Sequence, residues 1–315
     1  MKEEIRTAMQ GLPPIRRKSG TESRLDLVVH DLKDGALPVL AYAGFLRGET
    51  VSGEKLSREE EPLRGFFTTR LGGASDGMYA TMNLSLSRGD AKEHVLENYR
   101  RVAEALGTDT GHIVLTYQIH GTKILRVGRE EAGAGLTFVR PWDDVDGIIT
   151  DVPGLALGTF FADCVPLQFY DPVHGAIGAC HSGWRGTVGR IGAKCLQAMA
   201  EAFGSKPEDC LCAIGPSICQ DCYEVSEDVA AQFREAFPGY EAQILIDKGN
   251  GHSQLDLWSA CRITLEEAGV LPDRIYSPDV CTCCNPSWMF SHRASKGNHG
   301  NFGGFLMMPE KKQEA

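Results

Sequence analysis

Apolar residues in this chain recur with two periods, which divide it into short strands and amphipathic helices. The runs at 165–170 and 176–180 flank the turn-rich loop Asp171-Pro172-Val173-His174-Gly175 and predict a hairpin. Pairing symmetric about Val173 sets position 164 opposite 182. Cys164 and His181 then meet at the open end of the hairpin, within one residue of each other. Directly opposed side chains have Cβ atoms about 4.5–5.5 Å apart. A thiolate and an imidazole at that separation can share a metal ion or form a nucleophile–base pair, and spacing alone leaves both open.

The same pattern predicts strands at 25–29 and 39–43, with Asp34-Gly35 turning between them, and at 65–70, 113–117, 124–127, 147–150, 157–161 and 211–214. The 65–70 strand runs into Gly72-Gly73, and the 157–161 strand leads into Cys164. A helix from Asp90, with Glu93 three residues on, carries the stripe Val95, Tyr99, Val102 and Leu106 and stops at Gly107. After Gly186 a second helix is marked by Ile191, Cys195, Met199 and Phe203 and stopped by Gly204. Ser226 and Asp256 are expected to cap two more, the first carrying Val229, Phe233 and Phe237 and the second Leu257, Cys261 and Leu265. Residues 275–308 read as short strands and loops. Residues 1–24 show no periodicity and read as a loosely ordered tail before one catalytic domain at 25–315. The central hairpin argues against a doubly wound sheet and for an α+β domain with mixed sheets.

The net charge of −10 argues against a nucleic-acid partner, because phosphate contacts need clustered Lys and Arg. It leaves room for an anion in a local cationic pocket. All eleven cysteines fall between Cys164 and Cys284, and Met1 to Arg24 lacks an apolar leader segment. The longest apolar-looking stretch, Gly35 to Leu46, is too short to span a bilayer. A reducing, cytoplasmic compartment, free thiols and no membrane partner are the expectation.

His120, Cys164 and His181 are the candidate metal ligands, each at a predicted strand end. Three protein ligands with an open fourth position is the catalytic-zinc pattern. Spacings of 44 and 17 residues are no zinc-finger signature, so each residue taken singly reads as a core thiol or a loop histidine. Arg185, before a predicted helix start, and Arg70, beside Gly72-Gly73, are candidate anion-binding residues against the alternative of surface ion pairs. Cys210-x-Cys212 with Cys219-x-x-Cys222, and Cys281-x-Cys283-Cys284, offer rival thiol sites for a structural zinc, but read as incidental or redox-labile thiols.

Gly65-Phe-Phe-Thr-Thr-Arg70 with Gly72-Gly73, Asn83-Leu84, Gln118-Ile-His120-Gly121, Asp144-Val-Asp146-Gly147, Ala162-Asp163-Cys164-x-Pro166, His181-Ser-Gly-Trp-Arg-Gly186 and Ile214-Gly-Pro-Ser217 occur in that order. From about Leu25 to Met308 the chain resembles the YfiH/YlmD, or laccase-domain, family, formerly described as multicopper polyphenol oxidases. The resemblance implies a single-domain four-layer α/β/β/α sandwich. It implies zinc on His120, Cys164 and His181. It further implies phosphorolysis of adenosine, inosine and S-methyl-5′-thioadenosine, and deamination of adenosine. A purine nucleoside and phosphate are then the partners, and a monomer is expected. Asp163, next to a ligand, is the candidate proton carrier for deamination, or else it orients a histidine. Arg70 and Arg185 are the candidate catalytic phosphate binders. The cysteines at 210–222 and 281–284 are more numerous than the family leads one to expect. Two alternatives stand beside this reading. One is a cysteine hydrolase or amidase acting on a cell-wall precursor through Cys164 and His181. The other is a copper-dependent polyphenol oxidase, which the absence of any His-x-His run disfavours.

Overall fold

A computed structural model describes residues 2–20, 23–58 and 61–310. The remaining positions fall within the expected tail, at 59–60 and at the C-terminal end, and lie outside the described residues.

Two six-stranded mixed sheets stack face to face. In the first the strands run in the order Asp26–Leu32, Gly35–Ala41, Arg64–Thr68, Phe302–Met307, Ala156–Phe161 and Ile113–Leu115. In the second the order is Ile275–Tyr276, Leu211–Ile214, Val165–Asp171, Ala176–Ser182, Gly147–Thr150 and Ile124–Arg126. Helix Lys92–Leu106 covers the outer face of the first sheet, and helices Ile191–Phe203 and Leu257–Glu267 cover the second. This is a four-layer α+β arrangement with both sheets mixed.

Strand alternation builds it. In Phe302–Met307, Phe302 and Leu306 enter the core between the sheets with Phe161, Ile177 and Ala213. Phe305 points to the other face, under the helix, with Tyr99 and Val102. In the central hairpin Leu167 and Phe169 face the opposite helical layer, beside Ile191 and Met199. Buried Gln168 stitches the sheets together, its Nε2 donating to the Phe305 carbonyl at 3.0 Å. Because Phe305 is fully buried, its truncation to alanine costs about 3–5 kcal/mol.

Five local expectations change or sharpen. The hairpin pairs Val165 with Ser182 and Pro166 with His181, one residue out of the symmetric register, because the turn centres between Val173 and His174. Residues 302–307, hidden in a glycine-rich segment, form an inner strand paired on both edges. Gly303 and Gly304 are required there, since a Cβ would press into the Phe305, Leu84 and Phe67 side chains. The aperiodic N-terminal segment includes a helix, Lys2–Gln10, and Arg17 is ion-paired with Asp279. The helix expected from Asp90 begins at Lys92, and Asp90 instead accepts from Asn83 Nδ2 at 2.8 Å. The Asp256 cap is present, accepting from the Trp258 and Ser259 N–H groups, whereas Ser226 makes no cap bond. No helix among the described residues is long and apolar enough to cross a membrane.

Candidate metal centre and its cavity

Two loops and a strand converge at one end of the sheets. His120 follows the Ile113–Leu115 strand, Cys164 sits in the turn before Val165, and His181 lies in the partner strand of the hairpin. His120 and Asp163 both adopt left-handed backbone, with φ of 64° and 100°. Such a conformation costs a non-glycine residue about 1–3 kcal/mol and persists only where its surroundings impose it. Here it aims His120 and Cys164 at the same point. Potential ligand atoms of His120, Cys164 and His181 all lie within 4.8 Å of one another, and Cys164 Sγ is 4.0 Å from His120 Nε2.

Gly183 makes the convergence possible. A Cβ at this position would meet His120 Cδ2 at 2.8 Å and Cys164 Sγ at 3.2 Å. The backbone there is extended, so the demand is for space rather than for left-handed geometry.

Asp146 sets the orientation of two of the donors. It is fully buried and accepts from the N–H groups of Ile119, His120 and Gly121 at 3.0, 3.1 and 2.8 Å. It also accepts from His181 Nδ1 at 2.8 Å, which places the proton on that nitrogen and frees Nε2. Burial works against the Asp146 charge, but the His181 ring and the backbone N–H groups overcome it and hold the carboxyl below its usual range. For His181, burial opposes protonation, while Cys164 and Asp146 outweigh it and raise the pKa to about 9. For Cys164, burial opposes the thiolate, while His181 and His120 outweigh it and lower the thiol to about 6. Two imidazoles and an acidified thiol, the buried one held by a carboxylate, are a donor set that fits a divalent metal ion such as zinc.

The three ligand candidates line a cavity of about 650 Å³. Arg88, Arg140, Arg185 and Arg293 surround it, with Tyr117, Phe160, Trp184 and Tyr223 as aromatic walls. The Arg185 guanidinium stacks on Trp184 at 4.2 Å, and that of Arg140 on Tyr117 at 5.0 Å. Within a chain of net charge −10, this is a local concentration of positive charge. His292 and His299 also line the cavity, their Nδ1 and Nε2 3.1 Å apart. His299 Nδ1 donates to the Gly300 carbonyl at 2.7 Å, so its Nε2 accepts from His292.

The other residues singled out from sequence are placed differently. Asp163 lines the cavity, but both its oxygens are occupied, by Thr282 Oγ1 at 2.6 Å and the Arg293 N–H at 2.7 Å. Arg70 is not among the lining residues. Its guanidinium is held by the Ala80 and Pro286 carbonyls at 3.0 and 2.9 Å and lies over Phe290. The helix expected after Gly186 starts at Ile191, and a separate helix of only five residues, Trp184–Val188, precedes it and carries Arg185. Positive charge in the cavity therefore comes from side chains rather than from a helix end. Cys210 and Cys212 are buried in the helical-side core, whereas Cys219 and Cys222 come together with Cys281 and Cys284.

Sequence reasoning passed over Asp146 as a working residue, although it stands in the quoted Asp-Val-Asp-Gly run. It also missed Arg88, Arg140 and Arg293, which had no local signal: only the fold brings them to the cavity.

Residues 64–309 match the family model described as multi-copper polyphenol oxidoreductase laccase. The chain is 36% identical over 240 residues to the purine nucleoside phosphorylase YlmD of Geobacillus stearothermophilus, covering 76% of this chain and 88% of that protein. It is 32% identical over 258 residues to adenosine deaminase RL5 from an unknown prokaryotic organism, covering 78% and 95% of the two. The crystal structure of YlmD from Geobacillus stearothermophilus superposes with a TM-score of 0.75 at 35% identity, over 79% of this chain and 93% of that one.

Proposed function

The chain belongs to the multi-copper polyphenol oxidoreductase laccase family, and on that premise we propose that it is a zinc-dependent purine nucleoside phosphorylase with adenosine deaminase activity. One observation carries the reading. A two-histidine, one-cysteine donor set faces a cavity that combines aromatic walls with four arginines.

The cavity carries two kinds of lining, aromatic rings and the arginines stacked on them, suited to the two substrates. Tyr117, Phe160, Trp184 and Tyr223 offer flat apolar surface to a purine. Arg140 and Arg185 are pre-ordered by stacking and offer a fork of N–H donors to phosphate. In phosphorolysis a phosphate oxygen bonds to ribose C1′ as the bond from C1′ to the purine nitrogen breaks, and a proton ends on the departing base. The arginines hold the phosphate in line and stabilise its charge. In deamination water adds at C6 of adenosine and ammonia leaves. Zinc held by His120, Cys164 and His181 supplies Lewis acidity next to the cavity. Asp163, with both oxygens engaged, positions the turn that carries Cys164 rather than shuttling a proton. Arg70 takes no part in this reading.

Incubation with adenosine and phosphate, with products resolved as adenine, inosine and hypoxanthine, tests the reading. Phosphate-dependent release of base supports it. Inosine formed without any base release would leave only the deaminase. Failure of zinc-loaded protein to consume adenosine or inosine would overturn both.

A second reading has one specific observation behind it. Asp146 completes a Cys164–His181–Asp146 triad of the kind that activates a thiol nucleophile, as an amidase would require. His120, within ligand reach of the same sulfur, favours the metal. Activity toward amide substrates in zinc-stripped protein would reverse that preference.

A further inference from the structure

The cysteine excess has a geometric explanation outside the catalytic cavity. Cys281-x-Cys283-Cys284 contains the pair Cys281-x-x-Cys284, matching Cys219-x-x-Cys222. The fold brings the two pairs together, with all four sulfurs within 4.8 Å of one another. A tetrahedral zinc with Zn–S bonds of about 2.3 Å sets its sulfurs about 3.8 Å apart, so the cluster is of the right size.

The loop backbones are arranged to support sulfur as a charged acceptor. The Cys219 and Cys284 N–H groups both donate to Cys281 Sγ, at 3.3 and 3.4 Å. Cys222 closes a tight turn, its N–H donating to the Cys219 carbonyl at 3.0 Å. The two loops are registered by a bridge between Ser217 and Cys281, with Thr282 N–H donating to the Ser217 carbonyl at 3.1 Å. Cys222 and Cys284 sulfurs are 3.4 Å apart and unbonded, and all four thiols are free.

We propose that Cys219, Cys222, Cys281 and Cys284 form a second, structural metal site that binds one zinc ion through four thiolates. Binding replaces four S–H protons with four Zn–S bonds and releases the protons to solvent, without any redox change. Four protein ligands leave no open position, so the site anchors rather than catalyses. What it anchors is the cavity wall. Ile218 and Tyr223, flanking the first pair, line the cavity. Thr282, inside the second pair, holds Asp163 at 2.6 Å, and the Ile218 N–H donates to the Asp163 carbonyl at 3.0 Å. Asp163 is the left-handed residue immediately before Cys164, so the zinc knot fixes the turn that presents the catalytic-site sulfur.

The test uses full-length protein purified in reducing buffer without added metal. His120→Ala/His181→Ala protein is expected to retain about one zinc per chain, with an X-ray absorption spectrum fitted by about four sulfur neighbours at about 2.3 Å and no nitrogen. Wild type is expected to carry about two. Cys222→Ser/Cys284→Ser is expected to lose one of the two; if that variant does not fold, the absorption spectrum of the histidine variant still decides. Retained zinc with nitrogen neighbours, a histidine variant free of metal, or Cys222–Cys284 joined as a disulfide in the reduced protein would each overturn the proposal. None of these outcomes depends on the purine activity.

Discussion

The two ligand clusters of this protein differ in three ways. His120, Cys164 and His181 are three donors of two kinds, and they open on the arginine-lined cavity. Cys219, Cys222, Cys281 and Cys284 are four donors of one kind, and none of them lines that cavity. The first is oriented by a buried carboxylate, Asp146, and the second by backbone N–H groups directed at sulfur. A site that leaves a coordination position free is suited to chemistry, and one that fills every position is suited to holding loops in place. Damage to the first is therefore expected to affect turnover, and damage to the second stability.

The largest expected effect separates them at once. Cys222→Ser/Cys284→Ser lowers the thermal midpoint by well over about 10 °C or prevents folding, because structural zinc contributes folding free energy directly. Cys164→Ala lowers phosphorolysis and deamination by roughly a thousandfold, with a drop in midpoint much smaller than that of the double variant. Calorimetry and product assays on both variants check the pairing; a Cys164→Ala protein with full activity, or one that unfolds as the double variant does, breaks it.

Smaller effects sharpen the first site. Asp146→Asn keeps the shape of the side chain but removes its charge, and is expected to cost about 10–100-fold in metal affinity or activity. Gly183→Ala adds one methyl against His120 and Cys164. It is expected to weaken zinc binding by about tenfold or more while the fold is retained, since the backbone there is ordinary for alanine. Competition with a chelator, alongside circular dichroism, reads both. Arg185→Ala is expected to raise the KM for phosphate about tenfold and leave deamination nearly unchanged, a split that steady-state kinetics resolves.

The smallest effect is a pH signature of zinc-stripped protein. The Cys164 pKa is depressed from 9.0 to about 6, so its stabilisation is complete above pH 9 and lost as pH falls through 6. The His181 pKa is raised from 6.5 to about 9, so its stabilisation is complete below pH 6.5 and lost as pH rises through 9. Together they predict that stripped wild type exceeds stripped Cys164→Ala in thermal midpoint most between about pH 6 and pH 9. A difference that is flat with pH would show that the thiol and imidazole do not interact.

The central hairpin and the helix at 191–203 were legible because their apolar spacing repeats over several turns or strand steps. The hairpin register was missed by one residue because Asp171 to Gly175 does not reveal where a turn centres. Cys164 and His181 still meet, since both side chains reach beyond their own backbone position. The strand 302–307 was obscured by Gly303 and Gly304, whose role is to make room for neighbouring rings. Asp146 gives no signal of its own, because the value of a buried carboxylate lies in what the fold places around it. Pairing Cys219 and Cys222 with Cys281 and Cys284 requires two distant loops to be registered at Ser217, which no local pattern encodes.

Anomalous diffraction at the zinc edge, from crystals soaked with phosphate and a slowly reacting adenosine analogue, tests the account most directly. It predicts a peak about 2.0–2.3 Å from His120, Cys164 and His181. It also predicts the purine against the aromatic wall and phosphate among Arg140 and Arg185. A peak absent from those three side chains, or a nucleoside bound away from them, would contradict it.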